Sequence, residues 1–321
     1  MKIIDTISNT AVVGSGYMGG GIAQVLALHG HKVLLGDVDG DTAERARVRL
    51  TEQAGQFEAQ GLMPAGAAGA IEKNLAAAGS IEEAVAGADY IAEAVPEDPD
   101  LKAAILSRIC GAAPEGAVIG TNTSAIPIGQ LAGAVSRPER FLGVHWMNPA
   151  PFIPGVELIP GPDTAPAVLD LAETLIRGLG KTPARVADTP GFVANRLQFA
   201  LYKEAVRIVE EGVAAPSQID AVVSNTFGFR LALFGPFAIG DMAGLDVYES
   251  SFRTLEKAYG DRFAAPDALS AAVAEGNLGL KSGRGFLDID PQDKAALLAY
   301  RDAAYGRLSQ LRAELGEAPG L

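Results

Sequence analysis

The most informative segment of this chain is Thr10-Ala11-Val12-Val13-Gly14-Ser15-Gly16-Tyr17-Met18-Gly19. Its first four residues form an apolar run that predicts a short buried strand, and the three glycines after it match the pattern G-x-G-x-x-G. Apolar residues then recur at helical spacing as far as Leu28, and Lys32-Val33-Leu34-Leu35 predicts a second strand. The segment therefore opens a strand–helix–strand unit with a glycine-rich turn.

The spacing of the three glycines favours a phosphate-binding turn. Gly14 permits a tight turn, Gly16 lets the backbone approach a pyrophosphate, and Gly19 allows close packing of the helix on the strand. The N–H groups at the start of the helix attract a diphosphate. Asp37 follows at the end of the second strand, where a carboxylate accepts hydrogen bonds from ribose hydroxyls and repels a 2′-phosphate. The pattern predicts NAD as cofactor, the alternative being a glycine-rich turn without a ligand.

Further apolar runs predict more strands of the same sheet, at residues 90–95, 118–121, 142–145, 156–159 and 184–187. Most follow helical or turn-rich segments, and this alternation is typical of a mostly parallel sheet covered on both faces. Residues 41–79 are rich in Ala and Gln, which predicts a helical insertion after the second strand. We therefore expect an α/β fold with a doubly wound N-terminal domain of Rossmann type.

The pattern changes after Thr189-Pro190-Gly191. Apolar residues between Leu197 and Val209 fall on one helical face, Ser217 with Asp220 predicts the start of another helix, and Asp290-Pro291 predicts the start of the last one. Because no convincing strand follows position 190, we predict two domains. They are a dinucleotide-binding domain over residues 1–188 and an all-α domain over residues 189–321.

Composition excludes several classes of protein. The 321 residues include 26 Lys and Arg against 39 Asp and Glu, so the net charge is −13, which argues against nucleic acid or an anionic membrane as partner. The single Cys110 excludes a disulfide framework and a zinc site built on several cysteines, and we expect no metal. No apolar run is long enough to span a membrane, and the first ten residues, with Asp5 and Asn9, lack the apolar core of a signal peptide. A cytoplasmic location is predicted.

His145 is the candidate acid–base residue among the three histidines of the chain. His29 and His31 surround the turn after the first helix, whereas His145 ends an apolar strand, at the sheet edge where open α/β folds bind ligands. Glu157 lies within another apolar strand, and a buried carboxylate needs a partner. Pairing with His145 would fix the imidazole tautomer and stabilise its protonated form. The alternatives are a satisfied core histidine and a salt bridge from Glu157 to an arginine.

Two further polar residues stand near this sheet edge. Ser124 follows the apolar strand at 118–121, and Asn195 starts the first helix of the second domain. A hydroxyl and an amide can hold an alcohol oxygen and the carbonyl that it becomes after oxidation. The alternatives are a turn for Ser124 and a helix cap for Asn195.

Together these motifs resemble the L-3-hydroxyacyl-CoA dehydrogenase family over nearly the whole chain. The resemblance is carried by Gly14-x-Gly16-x-Met18-Gly19 with Gly21-Ile22-Ala23, Asn122-Thr123-Ser124, His145-x-x-Asn148-Pro149, Pro190-Gly191-Phe192-Val193-Ala194-Asn195-Arg196 and Lys281-Ser282-Gly283-Arg284-Gly285-Phe286. It implies oxidation of a 3-hydroxyacyl-CoA to the 3-ketoacyl product with NAD. His145 would be the base, Glu157 would orient it, and Ser124 and Asn195 would hold the reacting oxygen.

The resemblance also implies the cofactor contacts and the assembly. The nicotinamide ribose would contact Glu97, Lys102, Ser124 and Asn148, and the adenosine side would contact Asp37. Backbone contacts to the dinucleotide would come from Tyr17, Met18, Ala94, Val95 and Pro96. A homodimer through the helical C-terminal domain is implied, and the stripe formed by Ala304, Leu308, Leu311 and Leu315 is compatible with it.

Departures from the family pattern concern the substrate. Acyl-CoA members often carry a Lys-rich insertion, whereas the insertion here has few basic residues (Arg45, Arg47, Arg49 and Lys73) against more acidic ones (Asp41, Glu44, Glu52, Glu58 and Glu72). Pro151-Phe152-Ile153-Pro154-Gly155 replaces the usual Met-Lys/Arg-Leu, and relatives with a similar Ile-Pro run oxidise free hydroxy compounds such as carnitine, gulonate or a pyridine-carboxylate alcohol. A free small hydroxy compound is therefore the alternative substrate.

Three other functions agree less well with these residues. A non-catalytic dinucleotide-binding protein would not need Ser124, His145, Glu157 and Asn195 together. A reductase of carrier-bound acyl groups would need a basic docking surface, which the net charge does not favour. A hydroxyacid dehydrogenase with a lysine base is disfavoured because Gln198 stands where that lysine would be.

Overall fold

The computed structural model describes residues 7–319. Residues 1–6, including Asp5, lie outside this range, so the absence of a signal peptide stays a prediction. The chain forms two compact units, Met1–Leu201 and Tyr202–Leu321. Within residues 7–319, no helix combines the length and the hydropathy needed to cross a membrane.

The first unit is built on one eight-stranded sheet with the order β3-β2-β1-β4-β5-β6-β7-β8. All neighbouring strands are parallel except β6 and β7, which are antiparallel. The strands are β1 Asn9–Val13, β2 Lys32–Gly36, β3 Leu75–Ala77, β4 Tyr90–Glu93, β5 Val118–Thr121, β6 Phe141–Trp146, β7 Gly155–Pro160 and β8 Thr182–Arg185. The predicted mostly parallel sheet is confirmed.

Helices cover both faces of this sheet, as predicted. They are α1 Tyr17–Leu28, α2 Gly40–Ala59, α3 Ala67–Asn74, α4 Ile81–Val85, α5 Pro99–Ala112, α6 Ile128–Ala132 and α7 Pro166–Gly178. One apolar cluster packs side chains of α1, α2, α3 and α7 on the sheet, and a second packs side chains of α4, α5 and α6. The central strands are therefore buried on both faces, which explains why their sequences are continuous apolar runs.

The insertion after β2 differs in part from the prediction. It contains α2 and α3 as expected, but residues 75–77 form β3, a strand that pairs with β2 at the edge of the sheet. Three Ala-rich residues are too short to show the alternation by which a strand is recognised, so this part of the prediction was wrong. Strand β8 also starts two residues before the predicted 184–187.

Helices make up the second unit. Helix α8, Ala194–Glu210, crosses from the first unit, and α9 Pro216–Asn225, α10 Phe227–Leu231, α11 Pro236–Ala243, α12 Leu245–Tyr259, α13 Asp267–Ala274 and α14 Lys294–Leu315 follow. In its described residues, extended pairing is limited to isolated bridges between Gly279, Arg284 and Asp288. The last helix begins at Lys294 rather than at Asp290, because residues 291–293 form a turn whose amide at Gln292 donates to the Asp290 carboxylate.

Candidate active site

The glycine-rich turn lies between β1 and α1. Gly14 has a φ of 94°, and a Cβ placed there would lie 2.7 Å from the Ala94 carbonyl oxygen. A Cβ on Gly19 would lie 1.8 Å from the Gly14 carbonyl oxygen. At Gly16, in contrast, nothing lies within 4 Å of the Cβ position. Gly14 and Gly19 are thus required by the fold itself, whereas Gly16 leaves the face of the turn open.

The start of α1 suits an anion. Its N-cap Gly16 offers no side-chain hydrogen bond and its first turn holds no acidic residue, whereas the Asp39 and Asp98 side chains cap α2 and α5. The N–H groups of the first turn and the positive end of the helix dipole are therefore available to a phosphate. Tyr17, the first residue of α1, is exposed. The residues present fit the pyrophosphate of a dinucleotide.

Asp37 lies directly after β2 and supports the same turn. Its Oδ2 accepts hydrogen bonds from the backbone N–H of Ser15 at 2.7 Å and from the Ser15 hydroxyl, and its Oδ1 accepts one from the N–H of Val38 at 2.7 Å. The carboxylate is half-buried and ties the glycine-rich turn to the end of β2. Its negative charge at this position disfavours a cofactor with a 2′-phosphate.

The segment Ala94–Glu97 follows β4 and joins it to the loop after β5. The Ala94 N–H donates to the Val13 carbonyl at 2.8 Å. Glu97 Oε1 accepts hydrogen bonds from the Thr123 hydroxyl at 2.6 Å and from the N–H groups of Ser124 at 2.8 Å and Ala125 at 3.0 Å. Burial acts to raise the pKa of Glu97, but these hydrogen bonds and Lys102 lower it overall. A charged carboxylate therefore fixes the backbone of Ser124.

The Lys102 ammonium approaches the Ala94–Glu97 segment from the protein interior, not from the solvent. Its ammonium lies 2.9 Å from Glu93 Oε1, 3.1 Å from the Val95 carbonyl and 3.5 Å from Glu97 Oε2. The Lys102 side chain is 1% exposed, whereas that of Glu97 is 39% exposed. Both residues are among the four that the family resemblance assigns to the nicotinamide ribose; Glu97 is the accessible one of this pair, and Lys102 supports it from the protein interior.

His145 and Glu157 form a buried pair. The two residues stand opposite each other on β6 and β7, and the His145 Nδ1 lies 2.8 Å from the Glu157 Oε2. They are only 4% and 6% exposed. Because a charged carboxylate favours a proton on Nδ1, Nε2 is left as the basic nitrogen of the neutral ring. The alternative partner, an arginine for Glu157, does not occur among the ion pairs of the described residues.

Glu157 has two further partners at the start of α8. Its Oε1 accepts hydrogen bonds from the N–H groups of Val193 at 3.0 Å and Ala194 at 2.9 Å. Burial acts to raise the pKa of Glu157, but the hydrogen bonds from His145 and these two N–H groups lower it overall. The carboxylate is therefore charged when it faces the imidazole, and it also fixes the first residues of the helix.

The turn before α8 was not foreseen as part of the site. Gly191 and Phe192 have φ values of 74° and 48°, both in the left-handed region. The Phe192 ring is buried, and its centroid lies 5.6 Å from that of the His145 ring. The turn thus presents two N–H groups to Glu157 and packs an aromatic ring beside the imidazole. No sequence signal predicts a left-handed phenylalanine.

Ser124 and Asn195 are in contact through the side chain of Asn195 and the backbone of Ser124. The Asn195 Nδ2 donates to the backbone carbonyl of Ser124 at 2.8 Å, and the contacts recorded at Ser124 use only its backbone. Asn195 is the second residue of α8, so it does not serve as an N-cap. Asn148, exposed after β6, precedes a cis peptide bond to Pro149. The side chains of Ser124 and Asn148 remain available to a ligand.

Comparison with known proteins agrees with this geometry. A family model described as 3-hydroxyacyl-CoA dehydrogenase, NAD binding domain, matches residues 9–189, and one described as 3-hydroxyacyl-CoA dehydrogenase, C-terminal domain, matches residues 191–289. The probable 3-hydroxybutyryl-CoA dehydrogenase of Bacillus subtilis is 35% identical over 88% of this chain and 98% of the relative.

A second group of similar proteins has a pyridine substrate in its name. The 5-formyl-3-hydroxy-2-methylpyridine 4-carboxylate 5-dehydrogenase of Mesorhizobium japonicum is 38% identical over 92% of this chain and 95% of the relative. A solved structure of an enzyme of this name, described as an NAD⁺ dependent dismutase, has a TM-score of 0.72 and 36% identity and covers 98% of this chain and 100% of its own. The family resemblance is confirmed: the chain belongs to the 3-hydroxyacyl-CoA dehydrogenase family and is an NAD-dependent dehydrogenase that acts on a CH–OH group.

Proposed function

We propose that His145 is the general base of this dehydrogenase, and the buried His145–Glu157 pair carries the proposal. The Nε2 atom accepts the proton of the substrate hydroxyl while the carbon bearing that hydroxyl loses hydride. Bound NAD supplies the hydride acceptor. Glu157 holds the ring in the tautomer with a free Nε2 and stabilises the imidazolium that results. The Ser124 hydroxyl and the Asn195 amide hold the oxygen as it becomes a carbonyl.

The proposed dinucleotide contacts follow the geometry of the first unit. The backbone of Tyr17 and Met18 at the start of α1 would hold the pyrophosphate, together with the backbone of residues 94–96 on the other side of the turn. Asp37 would bind the adenosine ribose. Glu97, Ser124 and Asn148 would bind the nicotinamide ribose, and Lys102 would act through Glu97, from which its ammonium is 3.5 Å distant.

We propose a free small hydroxy compound as the substrate. The arginines of α2 are already engaged within the first unit: Arg47 with Glu44 at 2.7 Å, Arg45 with the Thr42 hydroxyl at 2.8 Å, and Arg49 with the Ser15 carbonyl at 2.9 Å. A 3′-phosphate of CoA is best held by a free guanidinium or ammonium, which this helix offers poorly. The similarity to the pyridine-carboxylate dehydrogenase supports the same choice.

A 3-hydroxyacyl-CoA is the second candidate, supported by the relatives named 3-hydroxybutyryl-CoA dehydrogenase. An absorbance screen of NADH formation decides between the two, with 3-hydroxybutyryl-CoA set against free 3-hydroxy acids, carnitine, gulonate and aromatic alcohols. We expect the highest kcat/KM with a free compound. A preference for the thioester by tenfold or more would overturn the proposed substrate, while no turnover with any compound would count against the reaction.

We further propose a homodimer formed through the helical domain. Helix α8 contains no buried residue, and its apolar side chains include Leu197 at 56% and Leu201 at 43% exposure. Leu315 of α14 is 74% exposed. Apolar surface of this kind is usually covered in an assembly. Light scattering should give twice the chain mass of 33.1 kDa, and a monomer at micromolar concentration would refute the dimer.

Two expectations remain proposals. We place the domain boundary near Asp188, supported by the two family models, which meet between residues 189 and 191; the compact units divide later, after Leu201 within α8. We propose a cytoplasmic location, supported by the single cysteine of the chain, and fractionation of cells that produce the protein tests it.

A further inference from the structure

Lys181 holds an unusual position directly before β8. Its ammonium donates hydrogen bonds to three backbone carbonyls, those of Ala150 at 2.6 Å, Pro151 at 3.1 Å and Ile153 at 2.8 Å. The residue is 9% exposed, and no ion pair between Lys181 and a carboxylate occurs among the described residues. Burying a charge without a counter-charge is costly, so three converging carbonyls indicate a defined role for this ammonium.

The three carbonyls belong to one loop, residues 149–154, which connects the end of β6 to β7. Two of its N–H groups, those of Phe152 and Ile153, donate to the Pro149 carbonyl at 3.1 and 3.0 Å. The Pro154 carbonyl accepts a hydrogen bond from Thr182 at 2.8 Å. The carbonyls of Ala150, Pro151 and Ile153 point to the Lys181 ammonium. Lys181 is therefore the side chain that satisfies the polar interior of the 149–154 loop.

The 149–154 loop packs on α1 and α2 and directly follows Asn148 of the candidate site. A Cβ on Gly21 of α1 would lie 3.0 Å from Pro151 and 3.2 Å from Ala150, so the loop packs directly on the dinucleotide-binding helix. The Phe152 ring meets the Phe57 ring of α2 edge to face, with centroids 5.1 Å apart. The loop begins next to Asn148, which is proposed to contact the cofactor.

Lys181 is also close to the residue that follows His145. Its Nζ lies 5.8 Å from the centroid of the Trp146 ring, which is 2% exposed. Trp146 is the single tryptophan of the chain. Its fluorescence therefore reports on the surroundings of the ammonium without interference from another indole.

We propose that Lys181 is a positioning residue of the dehydrogenase. Its ammonium binds three carbonyls of the 149–154 loop, and the loop in turn positions Asn148 and packs on α1, both of which are proposed to hold the cofactor. Lys181 touches neither ligand. The expected effect of Lys181 on turnover rests on the proposed function, but its hydrogen bonds to the loop can be tested without a substrate.

The first test compares Lys181→Ala and Lys181→Met with Lys32→Met. Lys32 stands on β2 of the same sheet, is exposed, and donates to the Asn74 side chain at 2.9 Å, so its variant is a matched control. We expect kcat/KM to fall by about 10- to 100-fold in both Lys181 variants, since small displacements of a site have effects of that size. Their Trp146 emission should also shift, and Lys32→Met should change neither. Unchanged emission and turnover in both Lys181 variants would overturn the proposal.

Chemical rescue separates the ammonium from a general packing effect. In Lys181→Ala the atoms removed are three carbons and one nitrogen, which n-propylammonium replaces. Tetramethylammonium is of similar size but has no N–H donor. We expect n-propylammonium to restore emission and kcat/KM, and tetramethylammonium at the same ionic strength to restore neither. If Lys181→Ala is folded but n-propylammonium changes neither its emission nor its kcat/KM, the positioning role of Lys181 is refuted. Equal rescue of Lys181→Met would also refute it, because the methionine side chain already fills the space.

A measurement on the unmodified protein covers the case in which the variants do not fold. With ¹⁵N-labelled lysine, the Lys181 ammonium should give a slowly exchanging NMR signal at neutral pH, identified by its nuclear Overhauser contact with the Trp146 ring. The buried Lys102 ammonium should give a second protected signal. The absence of a protected lysine signal near Trp146 would contradict the hydrogen bonds assigned to Lys181. If the contact is present but no compound in the screen turns over, the proposed function fails while the structural part of this inference stands.

Discussion

His145 and Glu157 occupy directly opposed positions on the antiparallel strands β6 and β7, with 2.8 Å between Nδ1 and Oε2. A chain reversal of 12 residues thus brings a base and its carboxylate together in an otherwise apolar part of the sheet. The same carboxylate accepts two N–H groups at the start of α8. Its charge therefore both orients the imidazole and fixes the backbone at the start of the helix that carries Asn195.

Replacing Glu157 by Gln should lower kcat by about 10²-fold, near the lower end of the range for general acid–base catalysis, and should move the pH profile of kcat/KM. The imidazole persists in this variant, but its orientation and its protonated form lose their support. Profiles of both proteins from pH 5 to 10 test this. An unchanged profile would mean that Glu157 acts only in folding.

The same variant should change how stability depends on pH. Because hydrogen bonds lower the pKa of Glu157 below its ordinary value of 4.5, the charged group stabilises the fold above that pH. This contribution is lost as the pH falls through the lowered pKa. Urea unfolding at pH 7 and in steps below 4.5 should show the two proteins converging at acid pH. A constant difference over the whole range would contradict the assignment.

Two glycines of the turn should respond differently to alanine. Gly19→Ala places a methyl group 1.8 Å from a backbone oxygen and should destabilise the protein without ligand by about 3 kcal/mol. Gly16→Ala meets open space and should change the free energy of unfolding by less than about 0.5 kcal/mol. Its methyl group nevertheless occupies the face assigned to the pyrophosphate, so NADH affinity should fall about 10-fold. Denaturation and NADH fluorescence titration measure the two effects, and normal NADH binding by Gly16→Ala would show that the phosphates lie elsewhere.

Ser124→Ala should separate catalysis from folding. The contacts recorded at Ser124 use its backbone, so the melting temperature should stay within 2 °C of the wild-type value, about the shift that a few tenths of a kcal/mol produces. If the hydroxyl holds the reacting oxygen, kcat should fall by about 10²-fold. Steady-state kinetics and calorimetry on one preparation give both values. Full activity in this variant would remove Ser124 from the mechanism.

Asp37 should set the choice of cofactor. The wild-type protein should use NAD far better than NADP, because a carboxylate repels a 2′-phosphate. Asp37→Ala should raise the KM of NAD and reduce the preference for NAD over NADP. It should also weaken the glycine-rich turn, which Asp37 holds through Ser15. Michaelis constants for both cofactors test this, with equal use of the two by the wild-type protein as the contrary result.

Regular patterns made most of the fold and several site residues predictable. Long apolar runs identified seven of the eight strands, and the isolated carboxylate of Glu157 within such a run pointed to His145. Strand β3 was not predicted, because its three residues are too few to show a periodic pattern. The left-handed Phe192, the inward turn of Lys102 and the carbonyls around Lys181 depend on tertiary contacts between distant segments, which no local pattern encodes.

The central claim, that His145 is the base of an NAD-dependent dehydrogenase, is tested most directly by His145→Gln. Glutamine keeps much of the volume of the side chain but cannot accept the proton. We predict that kcat with the substrate found in the screen falls by about 10²- to 10⁴-fold, while the Kd of NADH changes less than about twofold. Turnover within tenfold of the wild-type value, with NADH still bound, would contradict the account.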